Sequence, residues 1–184
     1  MDEADLKLYD NYEKTLLDGL LKLCSGEGLL EGELLSSPDI DEKWDDLVRD
    51  FVADAVYQFN DYPEATIAWP AFIGIAIALY WDRDWSTYKG CTYKGLYGER
   101  GFDDLDEHVL RDLMGLKLDS PQAKKISGTL NNCALAAMGL IRHEGIEPQT
   151  SQGFFILART YWVMYRIGAA IALRWLKYRL QPVG

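Results

Sequence analysis

Cysteine, histidine and basic residues are all scarce in this chain, and each scarcity closes off a class of protein. Three cysteines, Cys24, Cys91 and Cys133, are an odd number with no CxxC spacing. Neither a disulfide scaffold nor a thiolate zinc site is expected, and a reducing compartment, the cytoplasm, fits best. Only two histidines are present, His108 and His143. Lys and Arg number 19 against 29 Asp and Glu, for a net charge of −10. Such a charge repels phosphate backbones and anionic lipid, so neither nucleic acid nor a membrane is an expected partner. The first ten residues, MDEADLKLYD, are acidic where a signal peptide needs positive charge, and no export signal is expected. The patterns GxSxG, GxGxxG, HExxH and the phosphate-binding loop are missing, so no enzyme class is selected and no cofactor is expected. One run, Ala65 to Trp81, is free of charge, at the short edge of the roughly 17 to 25 residues that a membrane span requires. Pro70 interrupts it, and it reads as the central helix of a bundle; a membrane-associated helical protein is the alternative.

What is present is an ordinary packed-protein composition, 48% hydrophobic and 26% charged over 184 residues, long enough to bury its own core. Apolar residues recur three and four apart from about Asp5 to Cys24, the period of an amphipathic helix. Ser36-Ser37-Pro38-Asp39 is a helix start, with a hydroxyl to cap free amides and a proline in the first turn. The second helix places Ile40, Trp44, Leu47, Phe51, Val52, Ala55, Val56 and Phe59 on one face. A third runs from about Pro63 to Trp81, kinked at Pro70, and residues 82–101 form a long loop dense in glycine and aromatics. A fourth helix starts near Asp103, with Asp103 its cap, and ends at Gly115. Ser120-Pro121 opens a fifth, to about Glu144, and a long apolar sixth covers about 151–180. The expected fold is all-α: one domain over 1–184, a bundle of about six helices with helices 63–81 and 151–180 at its centre. Gly168, Ala169, Ala170 and Ala172 would let those two approach closely.

Charge is unevenly divided. Residues 148–184 hold Arg159, Arg166, Arg174, Lys177 and Arg179 and no acid, which leaves −15 on the first 147 residues. A basic last helix docked among acidic ones follows. Three groups of residues are candidate sites. Trp81-Asp82-Arg83-Asp84-Trp85 sets two carboxylates between aromatic walls, an arrangement that raises a carboxyl pKa toward acid catalysis or lines a ligand pocket. Its structural counterpart is an ion pair with Arg159 or Arg166, whose partners are expected among Asp50, Asp54, Asp82 and Asp84. Asp104 and His108, four apart on a helix, have metal-ligand spacing, and His143 joins them if the fifth helix lies alongside; helix capping is the competing role. Tyr88, Tyr93, Tyr97 and Phe102 among Lys89, Lys94, Glu99 and Arg100 make the long loop either an adhesive lip or a segment pinned by its own aromatics.

Three stretches, Tyr80-Trp81-Asp82-Arg83-Asp84-Trp85, Gly98-Glu99-Arg100-Gly101-Phe102-Asp103-Asp104 and Ile141 to Thr150, resemble an uncharacterised all-helical family of bacterial proteins. The resemblance implies a bacterial cytoplasmic source and the helical fold, and carries over no catalytic residue. The sequence therefore points to a small acidic protein- or ligand-binding module, with a protein partner or a second copy of itself as the occupant. A metal-dependent or carboxylate-based hydrolase using Asp82, Asp84, His108 and His143 is the alternative.

Overall fold

The spacing of Tyr9, Tyr12, Leu16, Leu20 and Cys24 builds α1, Glu3–Gly26, with these five side chains buried along one face. Asp2 opens it by accepting the Asp5 amide at 2.8 Å, which satisfies one of the free donors of the first turn. α2 spans Pro38–Gln58. Ser37 precedes it in an extended conformation with no side-chain cap bond, so the proline ring and the acids Asp39 and Asp41 start this helix instead of the expected hydroxyl. These elements belong to a computed structural model that describes residues 2–179.

α3 covers Pro63–Tyr88, seven residues beyond the expected end at Trp81. α3 keeps helical dihedrals through Pro70; the interior residue with non-helical dihedrals is Asp84. Every residue from Thr66 to Leu79 except Trp69 is buried, and packing on all sides overrides the local preference of one proline. The expected fourth helix is instead a succession of short turns. A 3₁₀ turn at Phe102–Asp104 leads into α4, Leu105–Glu107, which widens into a π-helical segment, His108–Leu113. Asp103 is therefore not a helix cap. α5, Pro121–His143, is opened by Ser120 accepting the Ala123 amide at 3.2 Å, and α6, Ser151–Trp175, by Thr150 accepting the Gly153 amide at 3.0 Å. α6 stops short of the expected end. Lys177 takes a left-handed φ of 73°, and the amides of Lys177 and Tyr178 close back on Arg174 and Leu173, a helix-terminating geometry. Leu180 lies outside the described residues.

The architecture is all-α, with six helices and no strand among the described residues, as the periodicity implies. α3 and α6 share the most extensive packing, and α1, α2 and α5 wrap them. Small residues make the central pair possible: a Cβ on Gly168 would overlap the Ala71 carbonyl of α3, and one on Gly74 the Tyr165 carbonyl of α6. α3 is the one helix among the described residues apolar and long enough to cross a membrane, and 72% of its most apolar window is buried inside the fold.

Candidate functional site

Past Trp81 the α3 backbone breaks at Asp84, whose carboxylate accepts from the Thr87 hydroxyl at 2.6 Å and its amide at 3.4 Å. Asp84 thus restarts the last turn of the helix in the manner of an N-cap. Asp82 accepts from the Tyr178 hydroxyl at 2.7 Å. The Trp81 indole donates to Asp39 at 3.3 Å, and its ring lies 5.5 Å from that of Tyr178. Both carboxylates are exposed and Trp81 and Trp85 are half-buried. The cluster is spent on separate contacts, and neither Arg159 nor Arg166 pairs with its carboxylates.

Arg159 is partly buried, as its aromatic neighbours imply, but its acids come from α1: Asp10 at 2.7 Å and Glu13 at 3.4 Å. The expected partners on α2 and α3 lose because the first half of α6 lies against α1, where the Tyr12 and Thr160 hydroxyls meet at 2.7 Å and the Tyr9 and Phe155 rings at 5.5 Å. Arg166 lies 5.2 Å over the Trp162 ring with its Nε buried and unpartnered. It acts electrostatically on Asp41 of α2, whose carboxyl is pushed up by burial and pulled partly back by Arg166.

Asp104 and His108 line one polar pocket of about 670 Å³ together with Arg100, Glu107, Arg111 and Asp112. Each of these acids already has a partner. Arg100 reaches Asp104 and Glu107 at 3.3 Å, His108 Nδ1 meets Asp112 at 2.9 Å, and Arg111 meets Asp112 at 3.1 Å. His143 is exposed in the last turn of α5, apart from this pocket. Among the described residues no three His, Cys, Asp or Glu side chains form a set suited to a metal ion. The pocket is built by its glycines: Gly101 turns the chain with φ 68°, and any Cβ on Gly98 would collide with the Asp104 carboxylate. Burial alone would raise the Asp104 carboxyl. The hydrogen bond and charge of Arg100, with the charge of Arg111, hold it below the usual range. Arg111, against some burial, and then His108 do the same for Asp112. A depressed carboxylate stabilises the fold above its unfolded pKa and loses that contribution as pH falls through the folded one. Stability should therefore drop below about pH 4, and less steeply in Asp104→Asn, when urea midpoints are followed between pH 2.5 and 6.

The aromatic loop is pinned inward. Tyr93 is 1% exposed, edge-on to Phe51 at 5.8 Å and to Tyr97 at 4.8 Å. Phe102 lies 5.8 Å from Trp69, whose indole donates to the Phe102 carbonyl, and Tyr88 stacks on Tyr80 at 4.4 Å. Tyr93, Tyr97 and Phe102 pack on the core, which is the second of the two roles expected of this loop.

The exposed apolar surface lies elsewhere. α2 and α6 run antiparallel, and Val52, Val56 and Phe59 of the first line a groove of about 740 Å³ with Phe154, Leu157, Ala158 and Tyr161 of the second and Glu147–Thr150. Val56 and Phe154 are 64% and 53% exposed. Periodicity assigns Val56 to the core face, and the structure corrects this because α6 leaves it uncovered. The adjacent Phe154-Phe155 pair is the sequence signal for this groove: consecutive helical residues point about 100° apart, so only one of two rings reaches α1. Comparison with protein-family models, with curated proteins and with solved structures finds no match.

Proposed function

We propose that this protein is a binding module whose occupant is a basic, amphipathic segment of another protein, seated along the α2–α6 groove. One juxtaposition carries the reading: the exposed acids Glu42 and Asp45 of α2 lie up the helix from the exposed apolar rim of Val56 and Phe154. Acids three and four apart share a helix face, so a partner that places apolar side chains in the groove meets a row of carboxylates beside it. Arg49 is the one base on that stripe. Exposed apolar grooves rimmed by charge of one sign mark interaction surfaces, with the apolar anchors supplying affinity and the charges the rate and choice of partner.

A synthetic Leu/Lys amphipathic helix, its Leu/Glu counterpart and calorimetry at two salt concentrations test it. The basic peptide should bind, more weakly at high salt, and Phe154→Asp should weaken it by about tenfold or more. Glu42→Lys with Asp45→Lys should remove the salt dependence. Equal binding of both peptides, or binding indifferent to these substitutions, would exclude the proposal.

A further inference from the structure

Two thiols that neither surface uses lie against each other between α1 and α5. Cys24 and Cys133 are 109 residues apart in sequence, their sulfurs are 3.6 Å apart, and neither is exposed. The sulfurs are in van der Waals contact, so closing to the ~2.05 Å of a disulfide asks each side chain for less than an ångström of movement. Their positions are unequal. Cys24 sits in the last turn of α1, which ends at Gly26, whereas Cys133 is midway along α5. Helix ends open far more readily than helix middles. Their chemistry is unequal too: the hydrogen bond from Cys133 holds the Cys24 thiol below the usual value against its burial, and pushes Cys133 well above it.

We propose that Cys24 and Cys133 form a hydroperoxide-sensitive dithiol, with Cys24 attacking and Cys133 resolving. Fraying of the last turn of α1 admits hydrogen peroxide. The Cys24 thiolate attacks the O–O bond, giving a sulfenic acid and hydroxide, which takes up the proton released by the thiol as water. Cys133 then attacks the Cys24 sulfur; the S–S bond forms, the S–O bond breaks and a second water leaves. One peroxide gains two electrons and two thiols lose them. The product staples the end of α1 to the middle of α5 across a long loop of chain, which is where a cross-link restrains the unfolded state most.

The test treats the folded full-length chain with a few equivalents of hydrogen peroxide and maps peptides without reduction. A Cys24–Cys133 peptide within one chain is expected, with Cys91 outside the linkage. The melting temperature should rise by roughly 5 to 15 °C and fall back on adding dithiothreitol. Cys91→Ser should keep the linkage, and Cys133→Ala should leave a Cys24 sulfenic acid that dimedone traps. Wild-type mapping decides the matter even where a variant folds poorly. The proposal is overturned if Cys24 and Cys133 stay reduced while Cys91 oxidises, or if the three possible pairings appear in equal amounts, as they would from unfolded chain.

Discussion

Gly168→Val should leave the chain unable to reach its native fold, or lower its melting temperature by more than about 10 °C. The reason lies where α6 crosses α3: the space a side chain on Gly168 needs is filled by the backbone carbonyl of Ala71, and the next nearest atoms are also Ala71 backbone. A flexible side chain would yield, but a helix backbone in the buried Thr66–Leu79 stretch moves only if α3 moves with it. Overpacking of a core costs about 1 to 3 kcal/mol even where neighbours adapt, and a domain holds only about 5 to 15 kcal/mol in all. Alanine in place of Gly168 should also destabilise, although it gains about 1 kcal/mol of helix propensity. Gly128→Ala provides the opposite sign. Gly128 is exposed within α5, and no atom lies within 4 Å of where its Cβ would stand. Propensity acts alone there, so a gain of about 0.5 to 1 kcal/mol should appear as a small rise in thermal midpoint. Equal effects at the two positions would contradict the close α3–α6 approach.

Periodicity made the long helices legible because each buries a stripe that repeats at the helical period, and the small residues from Gly168 to Ala172 announced the tight central crossing. It failed where tertiary contact decides the local geometry. Phe102 to Leu113 carry acids and apolar residues at helical spacing, yet Trp69 ties down the Phe102 carbonyl and Asp104 packs on Gly98, so the chain tightens and then widens into a π turn. The arginine partners were hidden for a related reason. Spacing places Arg159 and Arg166 on one side of α6, but which neighbour lies there depends on helix order around the bundle, and α1 supplied Asp10 and Glu13 where α2 or α3 was expected. The groove at Val56 and Phe154 was invisible to periodicity, which reads an apolar residue on the core face without showing whether a second helix covers it.

Lys43→Met should lower stability by about 1 to 3 kcal/mol, although methionine fills most of the space and removes a charge from the interior. Lys43 is only 5% exposed. Its ammonium donates to the Lys89 carbonyl at 2.7 Å and stands 3.5 Å from Asp46. Lys89 caps the C-terminal end of α3, where carbonyls without helical partners and the negative end of the helix dipole favour a cation. Lys43 therefore ties the first half of α2 to the turn that follows α3. Methionine keeps the apolar stem in place but leaves that carbonyl without its donor, whereas arginine retains charge and donors and should recover part of the loss. Cys91, two residues beyond Lys89, gives a second readout. Burial pushes its thiol up and the Lys43 charge pulls it partly back, so removing the charge leaves less thiolate at pH 8.5. All three cysteines are free thiols, so peptide mapping of the alkylated folded chain reads Cys91 separately from Cys24 and Cys133. A lower melting point together with slower reaction of Cys91 with iodoacetamide is the expected pair of results. Faster alkylation would show that the turn itself opens when the ammonium goes, and an unchanged melting point would remove Lys43 from the forces that hold α2 against the end of α3.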